Sequence, residues 1–166
     1  MSDSTNQYLT FTLGHEAFAL DISSVREVLE YTAITKVPRT SEYVRGIINL
    51  RGRAVPVVDV RLKFGMPETG RTVNTCIIIV EVRLGGEEIV LGALADAVKE
   101  VLDIEPGDIE PAPRMGTSIQ ADFIQGIGKA AEGFIIILDT NKVFSDVEVS
   151  EALQSGEAVS GATEAA

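Results

Sequence analysis

Tryptophan is absent from the 166-residue sequence, cysteine and histidine occur once each, and aromatic residues make up only 5% of it. The core is therefore expected to be aliphatic. A lone cysteine permits no disulfide within the chain and no multi-thiolate metal site. Beside Ile77, Ile78 and Ile79, Cys76 reads as a buried, inert thiol. His15 stands in a Gly14-His15-Glu16 turn with no acid–nucleophile set near it in the sequence. No group of cysteine, histidine and acidic residues has metal-ligand spacing. Gly85-Gly86 is followed by neither the lysine–hydroxyl pair nor the helix start of a phosphate loop. No metal, no cofactor and no catalytic residue are expected. Basic residues are also scarce: 14 Lys and Arg against 25 Asp and Glu give a net charge of −11. Such a surface repels nucleic acid and anionic membranes. No apolar run approaches the ~18 residues of a spanning helix, and Met1–Gln7 is polar where a signal peptide would be apolar. The expectation is a soluble, cytoplasmic protein without membrane insertion.

What the sequence does contain is short, alternating, β-branched runs. The chain is organised around Val44–Val60, where two apolar runs flank Asn49-Leu50-Arg51-Gly52-Arg53. This pattern predicts a β-hairpin, with Gly52 supplying a backbone angle that other residues avoid. The tip carries two arginines, whose planar forks suit carboxylates and carbonyls. Pro56 removes a ladder donor, so its strand is expected at an edge or with a bulge. Earlier in the chain, Tyr8–Leu13 and Phe18–Ile22 alternate as a hairpin with one buried face. Val25–Tyr31 reads as a strand, Ser41-Glu42-Tyr43 as a one-turn helix start, Arg61–Gly70 as a linker, and Asn141–Phe144 as a short helix.

The second half repeats the first in the same order. Leu13-Gly14 recurs as Leu84-Gly85, Val25-Arg26-Glu27-Val28-Leu29 as Val98-Lys99-Glu100-Val101-Leu102, and Val37-Pro38-Arg39 as Ala112-Pro113-Arg114. Val44-Arg45-Gly46-Ile47 recurs as Ile124-Gln125-Gly126-Ile127, and Val55-Pro56-Val57-Val58-Asp59 as Ile135-Ile136-Ile137-Leu138-Asp139. A tandem duplication accounts for this order. Each half holds about five short strands, enough for a small closed or nearly closed barrel. Gly46 and Gly126, at matching places, predict a bulge or a close strand crossing. The paired Asp59 and Asp139 raise the possibility of an aspartic protease dyad. That family's following glycine is missing at both, and an aspartate that ends a strand by bonding nearby N–H groups is the simpler reading.

Phe11-Thr12-Leu13-Gly14, Val25-Arg26-Glu27-Val28, Tyr43 through Gly52, and Val55-Pro56-Val57-Val58-Asp59-Val60-Arg61 resemble the CheW family of bacterial chemotaxis coupling proteins. The resemblance runs from about Tyr8 to Phe144, and its length matches the stand-alone type. It implies an all-β fold with short helices: two tandem SH3-like, five-stranded barrels around a shared hydrophobic core. The implied division is a disordered 1–7, a domain over 8–150 and an acidic, flexible tail over 151–166. Within the domain, the first barrel covers about 8–66, a linker 67–73 and the second barrel about 74–150, with strands open to exchange between barrels. The resemblance also implies a non-enzymatic adaptor, monomeric when free and recruited to membrane-associated arrays. It would join the cytoplasmic tips of chemoreceptors (methyl-accepting chemotaxis proteins) to the regulatory domain of the histidine kinase CheA. By position, the receptor contacts fall on Val25, Glu27, Val28 and Arg51, with Val98 and Val101 on the opposing barrel. Kinase binding falls on an unspecified face of the first barrel. Gly46, Gly52, Asp59, Gly126 and Asp139 take structural roles.

On a regular strand Val25 and Glu27 share a face, placing an apolar spot beside a carboxylate. Val28 and Val101 would then edge a groove for a helical partner. Ordinary core packing of the valines and a surface ion pair between Glu27 and Arg51 are the plainer readings. The competing settings are a twitching- or gliding-motility array and a ligand-binding β module outside signalling.

Overall fold

The computed structural model describes residues 7–38, 43–66, 70–84, 86–111, 123–130 and 133–144. Every alternating run forms a strand. In order these are β1 (Gln7–Leu13), β2 (Glu16–Asp21), β3 (Val25–Glu30), β4 (Val44–Leu50), β5 (Arg53–Val58), β6 (Cys76–Leu84), β7 (Glu87–Ala95), β8 (Ala97–Asp103), β9 (Ile109–Glu110), β10 (Ile124–Ala130) and β11 (Gly133–Leu138). Helical turns α1 (Val60–Lys63) and α2 (Thr140–Val143) follow β5 and β11 at matching places.

The strands form two sheets, a six-stranded one ordered β8-β1-β2-β11-β10-β9 and a five-stranded one ordered β3-β6-β7-β5-β4. The duplication is interleaved. The β1–β2 hairpin opens the chain but pairs with second-half strands, and β6–β7 pairs with first-half strands. The all-β, SH3-like expectation holds, with one correction. Among the described residues the two end strands of each sheet are not paired with each other, so the sheets are open rather than closed barrels.

Crossing the hairpins between sheets buries both faces of the central strands, which explains their unbroken apolar runs. On β6, Ile78, Val80 and Val82 enter a core shared by both sheets, while Ile77 and Ile79 enter the core of the five-stranded sheet. Each such side chain contributes roughly 1.5–3 kcal/mol by leaving water. Cys76 is buried at the edge of the shared core, and burial pushes its thiol pKa up. The core is less purely aliphatic than composition suggests, because the few phenylalanines are concentrated there. Phe11, Phe18, Phe64 and Phe144 are all buried in it, and the Phe18 and Phe64 rings lie 5.9 Å apart.

Four local expectations need correction. Ile22 starts a 3-10 turn, Ile22–Ser24, because the Asp21 carboxylate accepts from the Ser23 N–H and ends the strand. Gln7 already belongs to β1. The stretch from Arg61 is not simply a linker: α1 is capped by Asp59, and Arg61 is buried. Pro56 lies on β5, which is internal. The proline is tolerated because parallel pairing to β7 begins only at Val57, and the bulge falls on the partner strand β4. Of the expected helix start, Ser41 and Glu42 lie outside the described residues, and Tyr43 is in a turn. The tail from 145 onward also lies outside them.

Candidate functional site

The site is built on two edge strands, β3 of one sheet and β8 of the other, and each is kinked by a bulge. On β3, Val25 pairs with Val80 but Glu27 pairs with Ile79, so Arg26 and Glu27 together oppose one residue. The extra residue breaks simple alternation. Val25 packs on the shared core, and Val28 faces the same way, opposite the shared-core residue Ile78. Glu27 turns to the other side with Leu29. The expectation that Val25 and Glu27 share a face is thereby overturned: a bulge, unlike a regular strand, puts residues three apart on one face.

The same device recurs on β8. Val98 pairs with Phe11 and Val101 with Leu9, and the irregularity lies between them. Here the bulge is clipped by a buried hydroxyl: Thr10 Oγ1 donates to the Glu100 carbonyl at 2.8 Å and accepts from the Glu100 N–H at 3.1 Å. Val25 and Val98 are thus partly buried against one core. Val28 and Val101 stand at its rim, 42% and 48% exposed. They are two of the four large apolar side chains that stand exposed among the described residues.

Across β3 from Val28, on the face that Glu27 takes, lies the arginine tip. The β4–β5 hairpin turns on two residues, Arg51 (φ 52°) and Gly52 (φ 86°), both left-handed. This is the turn geometry that matches strand twist. Asn49 Oδ1 steadies it by accepting from the Gly52 N–H at 2.7 Å. A left-handed backbone is unusual for arginine. It accompanies a side chain that reaches across to β3, where Nη1 and Nη2 donate to the two Glu27 carboxylate oxygens at 2.7 and 2.9 Å. Since β3 and β4 end the five-stranded sheet at opposite sides, this bidentate clasp ties its far edges together. Leu50, Arg53, Val55, Ile79 and Val90 line a groove of about 210 Å³ around it.

The hydrogen bonds from Arg51 hold the Glu27 carboxyl below the usual glutamate range, and the charges of Arg51 and Arg26 add to this against partial desolvation. A folded-state pKa that is depressed contributes stability above the unfolded value and loses it as pH falls through the folded one. The clasp should therefore survive mild acid and open only below the ordinary glutamate range. Following the Glu27 carboxyl carbon by NMR should show this low midpoint, and Arg51→Ala should raise it. An unmoved midpoint would mean the clasp is not formed in solution.

Asp59 caps α1 by accepting from the Arg61 N–H at 3.1 Å, and Asp139 caps α2 by accepting from the Lys142 N–H at 3.1 Å. The two aspartates cap two different helical turns, each bound to local N–H groups. Gly46 (φ +143°) lies where Thr35 crosses β4, and Gly126 packs against Ile109 and Glu110. Among the described residues no group of three or more His, Cys, Asp or Glu could hold a metal, and no helix is long and apolar enough to cross a membrane.

Sequence reasoning missed one constellation. The Arg61 guanidinium is buried, with Nε and Nη2 donating to Asp59 at 3.1 and 3.0 Å and Nη1 to Asp96 at 2.7 Å. Asp96 also accepts from the Gly14 N–H at 2.6 Å. This network pins α1, the β7–β8 corner and the β1–β2 turn together. Only the Asp59–Arg61 spacing hinted at it, and the linker-like glycines and proline downstream of Arg61 masked that hint.

Against known proteins, the CheW-like domain family matches residues 7–148. The chain belongs to the CheW-like family. It is 32% identical over 144 residues to the chemotaxis protein CheW of Klebsiella aerogenes, covering 87% of this chain and 84% of that one. The probable chemotaxis protein CheW of Rhizobium etli is 31% identical over 92% of this chain and 95% of its own. The crystal structure of the scaffolding protein TtCheW from Thermoanaerobacter tengcongensis aligns with a TM-score of 0.77 at 39% identity, over 87% of this chain and 90% of that one. CheW proteins are adaptors rather than enzymes, so the site is to be understood as a binding surface.

Proposed function

We propose that this CheW-family scaffold couples the cytoplasmic tips of chemoreceptors to the regulatory domain of the histidine kinase CheA. It would work in the cytoplasm at membrane-associated receptor arrays. The observation that carries the reading is the matched pair of bulged edge strands. Each sheet presents two valines three residues apart on one face, Val25 and Val28 on β3, Val98 and Val101 on β8. A receptor tip is a helical hairpin, and apolar walls with a charged anchor beside them suit a helix laid along them. Glu27 and Arg51, on the other face of the edge strand β3, supply that anchor around its edge, already arranged toward each other. Preorganisation of this kind lowers the entropy lost on binding. The kinase would use a different face of the first barrel.

Glu27→Ala and Arg51→Ala should each weaken binding of a receptor-tip fragment at least tenfold. Their melting curves should stay near the parent's, since the pair is exposed to solvent and such pairs add little to stability. Binding of the kinase's C-terminal domain should change little. Calorimetric titration of each variant with each fragment separates the outcomes. Equal losses for both partners would indicate a damaged fold, and no loss for the receptor would move the site elsewhere.

A further inference from the structure

The duplication gives each sheet a groove, and the two grooves differ. In the second, Lys99, Glu100, Ala130 and Ile135 take the places held in the first by Arg26, Glu27, Leu50 and Val55. Glu100 occupies the same bulge position on β8 as Glu27 does on β3. In the first half that carboxylate is held by the fork of Arg51. In the second, Lys129 on β10 bonds Glu110 at 2.9 Å instead. Among the described residues no side chain pairs with the Glu100 carboxylate. The second groove is also the larger, about 390 Å³ against about 210 Å³. Its rim carries Phe134, 66% exposed, where the first half has Ala54.

We propose that this second groove docks an arginine carried on an exposed loop of a partner protein, with an apolar neighbour of that arginine packed on Phe134. The chain itself shows what fits such a carboxylate: a guanidinium whose two nitrogens meet its two oxygens. A lysine would offer one point charge in place of the fork. Leu102, Ala130 and Ile135 provide the apolar wall against which the arginine stem lies. A partner's arginine would supply from outside what Arg51 supplies from within in the first half.

The test uses the full chain, labelled for NMR, and the capped dipeptide acetyl-leucyl-arginine amide, with lysine and citrulline versions as controls. The arginine peptide should shift the amides of Leu102, Ala130 and Gly133 in a saturable way, with a Kd on the order of 1 mM. The lysine peptide should bind at least threefold more weakly and the neutral citrulline peptide weaker still. Glu100→Gln and Phe134→Ser should each weaken the arginine peptide at least fivefold. The Glu100 side chain supports none of the described contacts, so the Glu100→Gln spectrum should otherwise match the parent's. Equal binding of the citrulline peptide, unchanged binding by Glu100→Gln, or shifts scattered over the acidic surface would each overturn the proposal.

Discussion

Arg61→Ala is expected to destabilise the protein by ~3–5 kcal/mol, the usual cost of removing one partner from a buried ion pair. The Arg61 side chain is 7% exposed and that of Asp59 is fully buried. Without the guanidinium, Asp59 keeps the Arg61 N–H it caps but loses both donors that neutralise its charge. A lone buried carboxylate must then draw in water, take up a proton or open the structure. Asp96 would lose its 2.7 Å contact and with it one tie between the halves. For a chain of this size the melting temperature should fall by roughly 10 °C or more. Arg61→Lys should recover only part of the loss, since one ammonium cannot face two carboxylates as the fork does. Urea melts of the single variants and of Asp59→Asn combined with Arg61→Met decide it. The double variant should cost less than the two single changes added. Additive losses would mean that Arg61 acts through packing rather than charge.

Gly46→Val should cost ~3 kcal/mol or more, at or above the top of the usual range for overpacking. The position combines two penalties. Its φ of +143° belongs to glycine. A Cβ there would fall on the Thr35 carbonyl group, with its carbon only 2.7 Å away and the Ile34 Cγ2 at 2.9 Å. Backbone cannot swing aside as a side chain can. Thr35 is also held to Ile47 by two hydrogen bonds of 2.8 Å, so making room would strip the cover from β4. Gly52 offers a control: it too is left-handed, but nothing lies within 4 Å of its Cβ position. Gly52→Ala should therefore cost only the conformational term, ~1–2 kcal/mol. If both variants melt alike, the close crossing at Thr35 is not what requires glycine.

The sequence made strand positions and the duplication readable because both rest on local pattern. Alternation marks a strand from its own residues, and matched segments keep their order however the strands later pair. Exchange between barrels was open from the sequence, but which hairpins cross was not readable. It depends on which edges meet in space, and the apolar faces of β1–β2 and β6–β7 would suit either sheet. At the site, the same limit falls within a single strand. Val25, Glu27 and Val28 were legible as a group, but period-two reasoning put Val25 with Glu27, because a bulge leaves no mark in residue type. The Arg61 network was hidden for a further reason. Asp96 is distant in sequence, and only the packed fold brings its carboxylate to the guanidinium.

On the proposed function, one chain holds a receptor tip and a kinase domain at the same time on different faces. Analytical ultracentrifugation of the chain with a receptor-tip fragment and the kinase's C-terminal domain measures this directly. A complex containing all three components is expected of the parent, giving way to the two-component kinase complex in Arg51→Ala. Displacement of the receptor fragment by the kinase domain, with no three-component species at saturating concentrations, would contradict it.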